Sequence, residues 1–297
     1  MTSLVETVKA SENSQAWQWR DYHINYTVQG EGQPLVLVHG FGAAIGHWRQ
    51  NIPAWVTAGY KVFALDLLGF GDSDKPDVDY SIELWAEMLQ EFWQAQIQTP
   101  AVWVGNSIGG LISLTVAAQA PEMTQGLILL NCAGGLNHRP EELHWPLNWV
   151  MSGFTKLVAT PGLGTFIFNQ VRQPQRIRNT LKQVYGNRAA ITDELVEILY
   201  RPSCDPNAQN VFARILAAPP GPRIAELLPQ INIPMLVLWG EADPWTPVKG
   251  GDIFQAWGEE HPVEFITLPE TGHCPHDERP EQVNSLVINW LAQLPTV

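Results

Sequence analysis

The chain of 297 residues is 45% hydrophobic and only 16% charged, and 17 basic against 30 acidic residues leave a net charge of −13. Disordered chains are charge-rich and apolar-poor, so the composition excludes disorder, and the length suits one large domain or a domain with an insertion. The acidic balance argues against a nucleic-acid partner, which needs a basic surface.

The first residues, Met1 to Ser14, are polar and carry Glu6 and Glu12. They lack both an apolar leader core and the Arg-rich look of a transit peptide, so a frayed arm is expected. Trp17, Trp19, Tyr22, Ile24 and Tyr26 roughly alternate with polar residues, predicting an antiparallel hairpin at a sheet edge. The runs Leu35–Val38, Val62–Leu65, Ala101–Val104, Leu127–Leu130, Met235–Leu238 and Val263–Leu268 read as strands buried on both faces of a parallel sheet. Between them lie helical patterns. One is capped by Ser81 and carries a stripe of Trp85, Met88, Leu89, Phe92 and Trp93, one follows Ser107, and the last covers about Glu281 to Leu294. Alternating strand and helix means an α/β fold with a mostly parallel sheet.

This rhythm stops between about Leu136 and Arg223, where the composition becomes helical and loop-like. The expected organisation is a catalytic domain of residues 1–135 and 226–297 with a helical cap or lid of residues 136–225 over the C-terminal edge of the sheet. Residues 136–225 carry a net charge of +4 and the remainder −17. The weakly charged stretch Leu143–Val171 is broken by Pro146, Asn148, Pro161, Gly162 and Gly164, so it is not a transmembrane span.

Gly105-Asn106-Ser107-Ile108-Gly109 matches G-x-S-x-G directly after a strand and before a helix, the setting of a nucleophile elbow. A serine hydroxyl needs a base, and His273 follows the last strand by a short loop. His276 is the competitor, and a cap or packing role suits it and Asp277 better. The base needs an acid to hold its tautomer. Asp243, just past the strand Met235–Leu238, is expected there, with Glu241 as the alternative. The order Ser107, Asp243, His273 is that of α/β-hydrolases. His39-Gly40-Phe41-Gly42 matches an H-G-x-G oxyanion loop, so the backbone N–H groups of Phe41 and Ile108 are the expected oxyanion donors. His39 and Asp66 are read as structural, and Cys274 as a bystander. His273, Cys274 and His276 do not have a zinc spacing, and no metal or cofactor is implied. Three widely spaced cysteines form no disulfide framework and suit a reducing compartment.

The segments 33–135 and 230–294 resemble α/β-hydrolases. Within them, H-G-F-G at His39–Gly42, G-N-S-I-G-G at Gly105–Gly110 and G-H-C-P-H-D-E at Gly272–Glu278 resemble the pheophytinase and chlorophyll dephytylase group. That resemblance implies hydrolysis of the phytyl ester of a chlorophyll-type pigment, or of a related isoprenoid or lipid ester. A cytoplasmic location is expected from the leaderless N-terminus and the cysteine usage, and the resemblance implies that it is peripheral to a photosynthetic membrane. Carbon–carbon bond hydrolases of aromatic ring cleavage share G-N-S-x-G-G and are the alternative, as is a slow ligand receptor of the same fold. Of the thirteen tryptophans, Trp48, Trp103, Trp239 and Trp245 lie close in sequence to the motifs, and Trp48 and Trp245 are candidate pocket residues. Trp145, Trp149, Phe154, Phe166 and Phe168, followed by Arg172, Arg176, Arg178, Lys182 and Arg188, make the cap a candidate for peripheral contact with an anionic membrane.

Overall fold

The computed structural model describes residues 14–137, 139, 157, 158, 160 and 162–295. The N-terminal residues 1–13 and the aromatic residues Trp145, Trp149 and Phe154 of the expected cap lie outside the described residues.

Eight strands form one sheet in the order β1-β2-β4-β3-β5-β6-β7-β8. They are β1 (Ser14–Trp19), β2 (Tyr22–Gln29), β3 (Pro34–Val38), β4 (Lys61–Leu65), β5 (Ala101–Asn106), β6 (Thr124–Leu130), β7 (Met235–Gly240) and β8 (Val263–Leu268). The expected hairpin is β1–β2, with Trp17 opposite Ile24, and β2 joins β4 antiparallel. The other strand pairs are parallel. Parallel neighbours cannot be joined by tight turns, so helices cross over and cover both faces.

The strand sequences show why. Val36, Val38, Trp103, Leu127, Leu129 and Val237 face one apolar layer, which the stripe of helix Ile82–Gln96 and the helix Ile108–Gln119 complete. Leu35, Leu37, Val104, Ile128, Leu130 and Leu238 face the other, against Trp55 of helix Ile52–Thr57 and Val283, Val287 and Trp290 of helix Pro280–Leu291. Both sides of the strand period are apolar because both faces are covered. Ser81 caps its helix as expected, its Oγ accepting from Leu84 N at 3.1 Å. The described residues between β6 and β7 hold helices and loops, among them helices Leu163–Val171, Pro174–Val184, Asp193–Tyr200 and Ala208–Ala217. No helix among the described residues is long and apolar enough to cross a membrane.

Strand order decides what can meet. β3 lies beside β5, and β7 beside β8. The loops after β3 and β5 are therefore neighbours at the C-terminal edge, as are those after β7 and β8. The junction of β5 with its helix is tight. A Cβ on Gly105 would lie 2.2 Å from Gly109 O, and one on Gly109 would lie 2.1 Å from Val38 O. These obstacles are backbone atoms and cannot swing away. Gly109→Ala is therefore expected to cost about 3 kcal/mol or more, at the upper end for overpacking, read as a fall in urea midpoint. A midpoint within error of the parent would refute this account of the junction.

Candidate active site

Ser107 sits at the end of β5 with φ 57° and ψ −121°, a region L-residues rarely occupy. Such a conformation costs about 1–3 kcal/mol and persists only when its surroundings enforce it. Here Ser107 N donates to Leu130 O at 3.0 Å, while Ser107 O accepts from Gly110 N and Ala133 N, each at 3.0 Å. Both main-chain groups are held, and the side chain stands free of the strand.

His273 follows β8, and Asp243 follows β7. His273 Nδ1 lies 2.6 Å from Asp243 Oδ2. A carboxylate only accepts, so Nδ1 carries the proton and the Nε2 lone pair is left for another donor. Asp243 Oδ2 also accepts from Asn131 Nδ2 at 2.7 Å and from Thr246 Oγ1, and Oδ1 accepts from Trp245 N at 2.8 Å. Burial pushes the Asp243 carboxyl up, but the bonds from His273, Thr246 and the Trp245 amide outweigh it and hold the group below its ordinary range. Glu241 is exposed, and the carboxylate on His273 is that of Asp243. No hydrogen bond joins Ser107 Oγ to His273 among the described residues. Such bonds are often long without substrate and tighten as the reaction begins.

Asn106, the variable residue of the motif, links elbow to base. Its Nδ2 donates to His273 O at 3.0 Å and to Leu130 O at 3.1 Å. Asn131, one residue past β6, accepts from Gly240 N at 2.9 Å with the same side chain that holds Asp243. Asn106, Asn131 and Thr246 were not singled out by motif. The available signal was a polar residue at the end of an apolar strand run, which for Asn131 is plain.

The loop His39–Gly42 lies against the Ser107 turn. A Cβ on Gly40 would come within 3.3 Å of Ser107 Cβ. Ile108 opens its helix, so its N–H has no carbonyl in a preceding turn. Phe41 N–H has no acceptor among the described residues. Gly42 has φ 69° and turns the chain away. His39 is buried, with Nδ1 donating to Gly40 O at 2.8 Å and Nε2 accepting from Leu67 N at 3.0 Å. Both nitrogens are occupied by backbone, which is a loop-fixing role. Asp66 does the same for its loop, accepting from Ile45 N, Asn25 Nδ2 and Asp72 N.

The two candidate pocket tryptophans separate. Trp245 is 51% exposed, with its ring edge-on to His273 at 5.3 Å between centroids. Trp48 has no exposed surface and packs on Trp55 and His276. It belongs to the core and is corrected as a pocket residue, because its turn, Ile45–Trp48, aims the ring under the sheet layer. Trp103 and Trp239 are core residues too. Phe41, 40% exposed, packs on Phe212, which rests in turn on the buried Phe168. Cys274 is buried, and burial and then Glu278 and Asp277 push its thiol well up, so it stays protonated and inert. Among the described residues no group of three His, Cys, Asp or Glu could hold a metal ion.

Residues 35–286 match the alpha/beta hydrolase family. The chain belongs to that family. It is 27% identical to the chloroplastic pheophytinase of Arabidopsis thaliana over 88% of this chain, and it spans 62% of that protein, less than two thirds. It is 28% identical to the 2-hydroxy-6-oxo-6-phenylhexa-2,4-dienoate hydrolase of Comamonas testosteroni, over 92% of each. Among solved structures it is similar to a bacterial membrane phospholipase A, with TM-score 0.75, 27% identity and coverage of 94% of this chain and 85% of the other.

Near His273 the chain buries a pair of histidines, His47 and His276. His276 and His47 meet edge-on at 4.7 Å between centroids, and His276 has no hydrogen-bond partner for either ring nitrogen. Burial, aided by His47, Arg49 and His273, holds His276 well below its ordinary value, and burial brings His47 to about 4 despite Asp277. Both are neutral in the folded chain but gain protons once unfolded below pH 6.5. Their contribution is therefore whole above pH 6.5 and lost as the pH falls toward about 4. Urea midpoints should fall across this window, by at most about 1.4 kcal/mol per pH unit per histidine. His276→Phe should flatten that slope, and an unchanged slope refutes the assignment.

Proposed function

We propose that the chain is a serine hydrolase that cleaves a carboxylic ester of a bulky apolar substrate, the phytyl ester of a chlorophyll-type pigment being the leading case. The observation that carries this is the His273–Asp243 hydrogen bond of 2.6 Å beside an elbow serine at φ 57°. In this mechanism Ser107 Oγ attacks the ester carbon while His273 Nε2 takes its proton. Asp243 stabilises the imidazolium through Nδ1–H, and the Phe41 and Ile108 N–H groups receive the oxyanion. The imidazolium then protonates the departing alcohol. Water, deprotonated by the same nitrogen, cleaves the acyl-serine, releases the acid and returns the proton to Ser107.

The apolar class is supported by Phe41, Phe212, Phe168 and Trp245, and by the similarity to proteins named pheophytinase and phospholipase. The second reading, a carbon–carbon bond hydrolase, is favoured by the dienoate hydrolase similarity over nearly the full length of both chains. Its anionic substrate would want a free cation. Arg178, Arg201 and Arg214 spend their guanidinium groups on Asp193, Asp72 and Asp77, and Arg172 spends its own on Asn169 and Ser203, so that cation would have to come from exposed residues such as Arg176, Lys182 or Arg188.

A hydrolysis panel tests both readings. Phytol release from pheophytin and turnover of long-chain p-nitrophenyl esters are expected, with none on a ring-cleavage dienoate. Ser107→Ala should abolish turnover, and Asp243→Asn should lower it about 10⁴-fold with the fold intact. Surviving turnover in Ser107→Ala would remove the nucleophile assignment, and dienoate cleavage without ester cleavage would exchange the two readings.

The cap adds a membrane contact to this proposal. Leu163, Phe166 and Val171 lie on one side of helix Leu163–Val171 and are exposed, Phe166 by 62%, and Arg176, Lys182 and Arg188 follow, also exposed. Apolar surface next to basic charge suits an anionic bilayer. Co-sedimentation should be strong with phosphatidylcholine–phosphatidylglycerol vesicles and weak with phosphatidylcholine alone. Equal binding to both, or none, removes the contact.

A further inference from the structure

Glu278 ends the short helix Pro275–Glu278, five residues past His273, and is buried. Among the described residues no Lys or Arg pairs with it. Its carboxylate is satisfied by backbone instead. Oε2 accepts from Gly272 N and Asn187 N, both at 3.0 Å, and Oε1 accepts from Cys274 N at 3.2 Å. Gly272 and Cys274 flank His273. Gly186 and Asn187 follow helix Pro174–Val184, between β6 and β7. One carboxylate therefore joins two chain segments more than eighty residues apart in sequence.

The neighbouring contacts close the same seam. His273 N donates to Val184 O at 2.8 Å, and Tyr185 Oη donates to Asp277 Oδ2 at 2.9 Å. Asn187 Nδ2 donates to Glu278 O at 2.8 Å. The segments approach as closely as backbone allows, since a Cβ on Gly272 would lie 2.0 Å from Val184 O.

A buried carboxylate without a cation is a poor stabiliser, because desolvation cancels much of what its hydrogen bonds return. Burial indeed pushes Glu278 above the usual carboxylate range, against the three amides that donate to it. What such a group does well is geometry, since charged acceptors hold N–H donors in short, directed bonds. The donors held here are the two amides on either side of His273 and that of Asn187, two residues past Tyr185.

We propose that Glu278 is a positioning residue that locks the insertion segment Gly186–Asn187 to the His273 loop, so that the seating of the insertion sets the aim of the base. This rests on the reading of His273 as the base. Misplacing a catalytic group by about 1 Å can cost about 100-fold in rate, while substrate binding through the apolar surface is left alone.

The test uses the full chain carrying Glu278→Gln, whose amide NH2 meets N–H donors in place of one carboxylate oxygen. For p-nitrophenyl butyrate, kcat is expected to fall about 10- to 100-fold with KM within about twofold. Amide hydrogen exchange is expected to rise at Gly272, Cys274 and Asn187 together, with the sheet unchanged. If Glu278→Gln does not fold, Glu278→Asp, which keeps the charge but cannot reach both segments, is read in the same way. Unchanged kcat in a folded variant overturns the proposal. So does faster exchange on the His273 side alone, or a uniform rise across the sheet. Ser107→Ala run in parallel separates the two failures. Retained turnover there refutes the catalytic reading and with it the aiming role, whereas the exchange pattern judges the link between the segments without reference to activity.

Discussion

The site depends on one backbone turn. Ser107 holds a conformation that costs about 1–3 kcal/mol, and it can do so because β5 and its helix close to a distance at which Gly105 and Gly109 have no room for a Cβ. That contact is made possible by the sheet, whose central strands are apolar on both faces and are clamped between two helical layers. The same closeness brings Gly40 against Ser107 and so places the loop His39–Gly42 beside it. A looser junction would relax the serine and separate it from the loop in one step.

Around this turn, buried charge is handled in two ways. Asp243 is charged and functional in aspect, its burial more than offset by donors from three loops, including the histidine it orients. Glu278 is architectural, its carboxyl satisfied by backbone amides alone although burial pushes it up. The histidines follow the same logic in reverse. His39 binds backbone at both nitrogens, and His276, unpaired and enclosed, is kept neutral by the cost of desolvating a cation. Three histidines near one serine thus differ in role because their surroundings differ.

Much of this was legible in the chain. The six apolar runs became strands, and the Trp17–Tyr26 alternation became the antiparallel edge hairpin. Ser107 fell at a strand–helix junction, and Asp243 and His273 fell just past strand ends. These features are local, since period, length and flanking glycines are set within a few residues. The partners that complete the site were not legible. Asn131 reaches Asp243 across 112 positions and Asn106 reaches the His273 loop across 167. Nothing local to either residue specifies such a meeting. Proximity in sequence also misled for Trp48, Trp103 and Trp239, which follow or precede motif residues but point into the apolar layers.

By itself, then, the sequence determined the α/β class, the order of strands and helices along the chain and the identity of the elbow, because these rest on periodicity and on short motifs. Only the tertiary structure decided which carboxylate meets His273 and which tryptophan stays at the surface. It also decided that Glu278 binds the segment after Val184 to the base. Those outcomes depend on the lateral order of strands, β5-β6-β7-β8, and on the turns at their ends. Lateral order is settled by which apolar faces can be buried together, a property of the whole chain and of no short stretch within it.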